Sequence, residues 1–333
     1  MIIGFFLADG SYSPTNGVVS QALTWKNGLE ELGHKVVLIN PWDKYDWRKI
    51  DAYIIYGFSV HSCGFIRLLS TVNTNIYVAP ILDPDYPVSA LKIYSRWGSS
   101  KLRLTNPFYS FRKIKDKVKG VLARTEFEKK YLVKGFGFKE EQCAVIPLSC
   151  GVEKSKIDFS SKENFCLHIS LLCDKRKNVK RLIDASKKYN FQLVLAGKLR
   201  NDKEKELLYS WIEGAENIKY LGYISEEEKI NLYRKAKVFA LPSTNEGVGI
   251  VALEAAAYGC DIVVTKLGGP HEYYNKMAKI IDPYNTDEIG RSVIELLSGE
   301  TYQPKLSDYI HRNYSIESIS NKLISTLQQD CKI

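Results

Sequence analysis

Short apolar runs alternate with amphipathic, helix-period stretches from one end of the chain to the other. In the first half the runs predict strands at 2–7, 35–39, 52–56, 76–79, 120–123 and 144–147, with helices at 17–32, 62–71, 89–97 and 126–134. The second half repeats the rhythm, with strands at 165–170, 192–196, 218–221, 238–241, 262–265 and 278–281 and helices at 179–189, 203–211, 225–235, 250–258 and 286–298. Strand–helix alternation of this kind predicts an α/β protein whose parallel sheets are covered on both faces. Two such series imply two doubly wound, Rossmann-like domains. The polar stretch 150–164 reads as the linker. The expected division is 1–155, 156–310, and a C-terminal segment 311–333 whose amphipathic helix at 316–329 packs back on the first domain. Ligands of such sheets sit at the carboxyl ends of the strands, so a shared site is expected in a cleft that the two domains face.

Composition adds little against this picture. At 333 residues, 45% hydrophobic and 26% charged, the chain has the make-up of an ordinary soluble globular protein. No apolar run approaches the ~20 residues that span a bilayer. The N-terminal run Ile2–Leu7 lacks a basic flank and reads as a buried strand rather than a signal peptide. The seven cysteines form no Cys-x-x-Cys pair, and the spacing of Cys166 and Cys173 around His168 fits no common zinc site. Reduced thiols in a cytoplasmic protein are expected.

Charge is less uniform. The formal net charge is +9, and between Ser89 and Lys119 nine basic residues face Asp116 alone, interleaved with Tyr94, Trp97, Phe108, Tyr109 and Phe111. Such a segment suits an anionic membrane surface, which would place the protein peripherally on the inner face of the membrane, or phosphate-bearing substrates, or it is a solvated face whose aromatics turn inward. With no recognised RNA-binding motif beside it, nucleic acid is not expected as a partner.

The candidate chemistry is concentrated around residue 246. After the strand at 238–241, Pro242-Ser243-Thr244 breaks the pattern, and Asn245-Glu246-Gly247-Val248-Gly249-Ile250 leads into a helix carrying Glu254. The exposed N–H groups and positive dipole end of the turn Gly247–Ile250 favour a phosphate. Eight helical residues span roughly 12 Å. Glu246 and Glu254 are therefore placed to hold hydroxyls at the two ends of a ligand with an anionic middle, as in a nucleotide diphosphate-sugar. The same residues satisfy the dinucleotide fingerprint G-x-G-x-x-A, but five residues separate the strand from the first glycine and no acid ends the next strand, so a nicotinamide enzyme is disfavoured.

These elements resemble the GT-B glycosyltransferases, in particular the large retaining family 4, glycosyl transferases group 1. The likeness extends over nearly the whole chain and is strongest between Phe165 and Pro283. The Glu246…Glu254 pair matches the family's E-x7-E element, which implies donor-sugar contact at Glu246, diphosphate contact at Gly247, Val248, Gly249 and Ile250, and ribose contact at Glu254. Asp174-Lys175-Arg176-Lys177-Asn178 is similar to the family's basic loop, implying that Lys177 and Arg176 neutralise the leaving diphosphate. Many relatives carry that arginine where Leu171 or Leu172 stands here. Gly268-Gly269-Pro270-His271-Glu272 resembles a glycine-rich loop ending in Glu. By the same likeness Tyr223 and Ile224 would hold the nucleobase, Gly197 and Lys198 would line the pocket, and Gly17 would approach the sugar phosphate. On the acceptor side the usual histidine is absent. His61, Asp83 and Asp85 are the candidates in its place.

The resemblance implies a metal-independent hexosyltransferase with no cofactor, consistent with the lack of an Asp-x-Asp at a strand end in the donor half. A nucleotide-sugar donor and a glycan or lipid-linked acceptor, in surface polysaccharide or glycolipid synthesis, would be its partners. A nucleotide-sugar epimerase of similar fold is the second enzymatic reading, though the sequence offers no convincing acid–base pair for it. A non-catalytic basic binding protein is the third.

Overall fold

The computed structural model describes residues 1–7, 17–40, 42–98 and 104–329. It divides into two compact units, Met1–Ser149 with Ile316–Ile333, and Cys150–Ser315. The first crossing point is set by Cys150, which is buried and whose N–H donates to the carbonyl of Tyr314 at 2.8 Å, so both crossing segments are pinned within the second unit. The divisions therefore fall at 149/150 and 315/316 rather than at 155/156 and 310/311.

The first unit holds a six-stranded sheet in the order β2-β1-β3-β4-β5-β6. Its strands are β1 (Ile2–Leu7), β2 (Lys35–Leu38), β3 (Ala52–Tyr56), β4 (Ile76–Ala79), β5 (Gly120–Ala123) and β6 (Cys143–Val145). All neighbours run parallel. The central strands β3, β4 and β5 are buried along their whole length, as a sheet covered on both faces requires. Helix α1 (Gly17–Glu31) follows β1, and the last helix, α12 (Ile316–Gln329), packs against α1.

Local chemistry moved several boundaries in this unit. Helix α2 (Val60–Leu69) starts two residues before the expected position because Ser59 and Ser62 form a reciprocal capping box. Helix α3 covers Val88–Tyr94, and an unexpected α4 (Pro107–Arg112) follows, capped by Asn106 with Pro at its first position. The helix expected at 126–134 is α5 (Glu126–Lys130) continued by a π-helical turn Tyr131–Phe136 that stops at the left-handed Gly137.

The second unit is built on β7 (Glu163–Ile169), β8 (Leu193–Ala196), β9 (Ile218–Tyr220), β10 (Ala236–Leu241), β11 (Asp261–Thr265) and β12 (Lys279–Ile281), in the order β12-β11-β10-β7-β8-β9 and again parallel. The covering helices are α6 (Val179–Tyr189), α7 (Asp202–Ile212), α8 (Glu226–Lys235), α9 (Ile250–Ala257) and α10 (Thr286–Leu297). Helix α11 (Lys305–Tyr314), which the hydrophobic pattern did not announce, packs on α9. Strand order reverses between β7 and β10, and the carboxyl ends at such a switch point are where doubly wound sheets bind ligands.

Directly beneath that point lies His168. It is fully buried, its Nδ1 is 2.7 Å from the carbonyl of Ala240 and its Nε2 2.7 Å from Ser170 Oγ. With Nδ1–H donating to the carbonyl, the ring is neutral and ties β7 to β10. Burial drives its pKa down to about 4, with Lys177 adding to the depression. A folded value below the unfolded 6.5 means that the neutral ring stabilises the fold above pH 6.5 and that this contribution is lost as pH falls towards 4. Imidazole NMR, assigned by comparison with His168→Gln, is expected to show His168 unprotonated at pH 5. A ring titrating near 6.5 would contradict this placement.

Candidate functional site

Two loops leave the carboxyl ends of the switch-point strands. The first follows β7 and contains a 3₁₀ turn, Lys175–Lys177, opened by Asp174, whose side chain accepts from the Arg176 N–H. The second follows β10 and runs from Pro242 to Gly249. They are laced together: Thr244 N–H donates to the carbonyl of Arg176 at 2.8 Å, and Asn178, in the left-handed region, donates through Nδ2 to the carbonyls of Pro242 (2.9 Å) and Pro283 (2.6 Å). Asn178 thus ties the ends of β7, β10 and β12 to one side chain.

This lacing places Lys177 Nζ 2.6 Å from Glu246 Oε2, to which Ser243 Oγ also donates at 3.1 Å. Both charged side chains are four-fifths or more buried, a setting in which losing either partner strands the other charge. From Glu246 the chain passes through the buried Gly247 and Val248 to Gly249, which adopts φ 74° and starts α9 with no side-chain cap. The first N–H groups of an α-helix lack intrahelical acceptors. Here they open beside the Lys177–Glu246 pair, a combination suited to an anion.

The backbone of Glu246 is held from behind by Gly268. A Cβ there would lie 2.0 Å from the carbonyl oxygen of Glu246, and Gly268 sits at φ 83°. The glycine-rich loop singled out in the sequence is therefore a close-packed support for Glu246.

Eight residues on, Glu254 leaves α9 towards α8. Its Oε2 accepts from Tyr233 OH at 3.0 Å and pairs with Lys229 Nζ at 3.1 Å, while Lys229 also holds Glu226 at 2.8 Å. Burial raises the Glu254 pKa against the opposing pull of Lys229 and Tyr233. Burial likewise works against the charge of Lys229, but Glu254 and Glu226 outweigh it and the ammonium is held above its ordinary value. Lys229 and Tyr233 had not been singled out from the sequence. Their i,i+4 spacing on the helix after the Ser225 capping box is the signal that puts them on one face.

The other candidates in the second unit lie on the loops after β7, β8 and β9. Of the two leucines at the position of the expected arginine, Leu171 is exposed and Leu172 is buried in the core. Arg176 is not drawn onto Glu246: its guanidinium is half-exposed and bonded to Asp174 at 3.0 Å, a carboxylate that Arg200 approaches at 3.7 Å. Gly197, at the end of β8, donates its N–H to the carbonyl of Gly222 at 2.8 Å, and Lys198 beside it is exposed. Tyr223 is 79% exposed on the loop after β9, with Ile224 half-buried.

The first unit carries the remaining candidates. Gly17 is the exposed first residue of α1, and residues 8–16 before it, with Pro14-Thr15-Asn16, lie outside the described residues. His61 is exposed in the first turn of α2. Asp85 is exposed in the segment after β4. Asp83, in the same segment, pairs with Arg124 Nη2 at 2.5 Å. Arg124, at the end of β5, is buried; its Nε bonds Glu128 Oε2 at 2.9 Å and its Nη2 the carbonyl of Leu82 at 3.1 Å. Burial opposes its charge, but Glu128 and Asp83 outweigh that and hold the guanidinium charged. Ile81, a β-branched residue at φ 55°, precedes this cluster and marks backbone strain beside Asp83.

Residues 152–314 match the family described as glycosyl transferases group 1. O-antigen chain mannosyltransferase B of Escherichia coli is 22% identical over 211 residues, covering 56% of this chain and 54% of that protein. The chain spans about half the length of the curated relatives it matches. Among solved structures, sucrose-phosphate synthase from Thermosynechococcus elongatus superposes with a TM-score of 0.74 at 14% identity, covering 98% of both chains. Anabaena HepE, in complex with UDP and glucose, gives 0.69 at 15% identity over 99% of this chain and 100% of that one. The fold is that of the GT-B glycosyltransferases, and the matches together support the group 1 family.

Gly268→Ala is expected to push back the Glu246 carbonyl and loosen the Lys177 pair. Its far-UV circular dichroism should match the parent, while its melting temperature should fall by about 3 °C or more, since a Cβ forced against backbone at positive φ costs on the order of 1 kcal/mol or more. A parental melting temperature would contradict the support role of this loop.

Proposed function

We propose that the protein is a glycosyltransferase that moves a hexosyl group from a nucleotide-diphosphate-sugar to a hydroxyl acceptor with retained anomeric configuration. The observation that carries the proposal is the Lys177–Glu246 pair beside the uncapped start of α9 at the switch point of the second sheet. A diphosphate seated there has an ammonium on one side and helix N–H groups on the other. The two flanking carboxylates, Glu246 and Glu254, accept hydroxyls of the sugar and the ribose. Arg176 adds a second cation, and the backbone at Tyr223–Ile224 with Gly197 and Lys198 takes the nucleobase end.

As the bond from C1 to the diphosphate oxygen breaks, the sugar becomes oxocarbenium-like and the diphosphate gains charge. Lys177 and α9 stabilise that charge more in the transition state than in the bound donor, which is where electrostatic catalysis acts. The acceptor oxygen bonds to C1 on the face the diphosphate leaves, and its proton passes to a departing phosphate oxygen. No enzymic base is needed in this scheme. The positive charge comes from Lys177, Arg176 and the helix end, so the scheme contains no metal ion. Asp83, with His61 and Asp85, is assigned to the acceptor. The relatives' names point to mannosyl donors as the first to try and to a surface polysaccharide or lipid-linked glycan as the acceptor class.

Thermal shift against a panel of UDP- and GDP-sugars should identify a donor, because a ligand of the native state raises the melting point. With that donor, Lys177→Ala should lower turnover roughly 10²- to 10³-fold with the fold intact, and Glu254→Ala should chiefly weaken binding of the nucleoside diphosphate. Turnover should be unchanged by chelator, and the product anomer, read by NMR, should match the donor. Unaltered turnover in Lys177→Ala would defeat the electrostatic scheme.

A further inference from the structure

Sugar transfer leaves the basic segment between Ser89 and Lys119 unused. The structure divides its aromatics into two sets. Phe111 is buried, Tyr109 nearly so, and Phe108 stacks on Phe136 inside an aromatic cluster with Phe58. Trp97 is 75% exposed, Ile93 69%, Leu104 64% and Tyr94 48%.

Helix periodicity explains the outward set. Leu91 and Ser95, four apart, are buried and anchor α3 and the turn after it. The adjoining rows, Lys92 with Arg96 and Ile93 with Trp97, are also four apart and face solvent. Contacts join these rows to the next helix. Asn106 Nδ2 donates to the carbonyl of Trp97 at 2.8 Å. A Cβ at Gly98 would lie 2.6 Å from the ring of Tyr109 and 2.9 Å from the carbonyl of Leu104. Lys113 Nζ stands 5.4 Å over that same ring. The surface from Lys92 and Ile93 through Trp97 and Leu104 to Lys113 is therefore continuous. Among the described residues Lys92, Arg96, Lys113, Lys115 and Lys117 take part in no ion pair.

We infer that this surface docks the protein on an anionic lipid bilayer. A contiguous apolar patch rimmed by cations is costly to leave in water and marks an interaction site. Indole and aliphatic side chains gain by entering the interface between headgroups and acyl chains, where tryptophan is favoured. The unpaired cations meet acidic headgroups while their stems lie along the apolar boundary. A nucleic acid would use the cations and the indole ring, but it has no use for exposed Ile93 and Leu104. The inference is independent of sugar transfer.

Sedimentation of the full chain with phosphatidylcholine vesicles, with and without phosphatidylglycerol, tests it. Binding is expected only with the anionic lipid, falling as salt rises. Lys92→Ala and Arg96→Ala should each weaken it about fivefold, and the double variant Ile93→Ser, Trp97→Ser should abolish it. Brominated acyl chains should quench tryptophan fluorescence in the parent and much less in Trp97→Phe. All these positions are exposed, and circular dichroism checks the fold; should the double variant misfold, Lys92→Ala and Arg96→Ala decide. Equal partitioning to both vesicle types, parental binding by the variants, or binding to an RNA oligonucleotide without binding to vesicles would each overturn the inference.

Discussion

The second unit of this protein is organised by one adjacency: β7 and β10 lie side by side although some 70 residues of chain separate Lys177 from Glu246. A 2.6 Å ion pair between largely buried groups has no margin for slack, since the desolvation it costs is offset only at close range and in good geometry. Everything around it serves that geometry. His168 locks the two strands beneath, Asn178 and Thr244 lock the loops above, and Gly268 lets the neighbouring loop close on the back of Glu246.

The same frame explains why the two acidic candidates differ in surroundings. Glu246 sits on a loop and meets a cation from another strand, so its position follows from sheet order. Glu254 sits in a helix and is fixed by its neighbour α8, where Lys229 and Tyr233 occupy one face. Its burial raises its pKa while both partners favour its charge. In the first unit the comparable anchor is Arg124, which no motif had flagged. Its buried guanidinium binds Glu128, Asp83 and the Leu82 carbonyl at once, so the segment after β4 is set by a residue at the end of β5.

Exposed features obey a different logic. The basic segment carries its aromatics both ways: those of α4 enter the core, while along α3 and the turn after it Leu91 and Ser95 are buried and Ile93 and Trp97, on another row, face solvent. Charge alone does not separate a solvated face from a docking face. The orientation of the neighbouring apolar side chains does.

The amino-acid sequence by itself determined the alternation of strands and helices, hence two parallel sheets, because continuous apolar runs and 3.6-residue periodicity are local properties. It also determined the Glu246–Glu254 element, whose spacing along one loop and helix is local, and the basic character of the loop after β7. Tertiary structure alone decided that Lys177 rather than Arg176 meets Glu246, because Asp174, two residues away, captures the arginine while the lysine reaches across to the neighbouring strand's loop. It decided too the roles of Lys229, Tyr233 and Arg124, and the packing of α11 on α9. These depend on which distant segments become neighbours, and strand order, not residue pattern, carries that information.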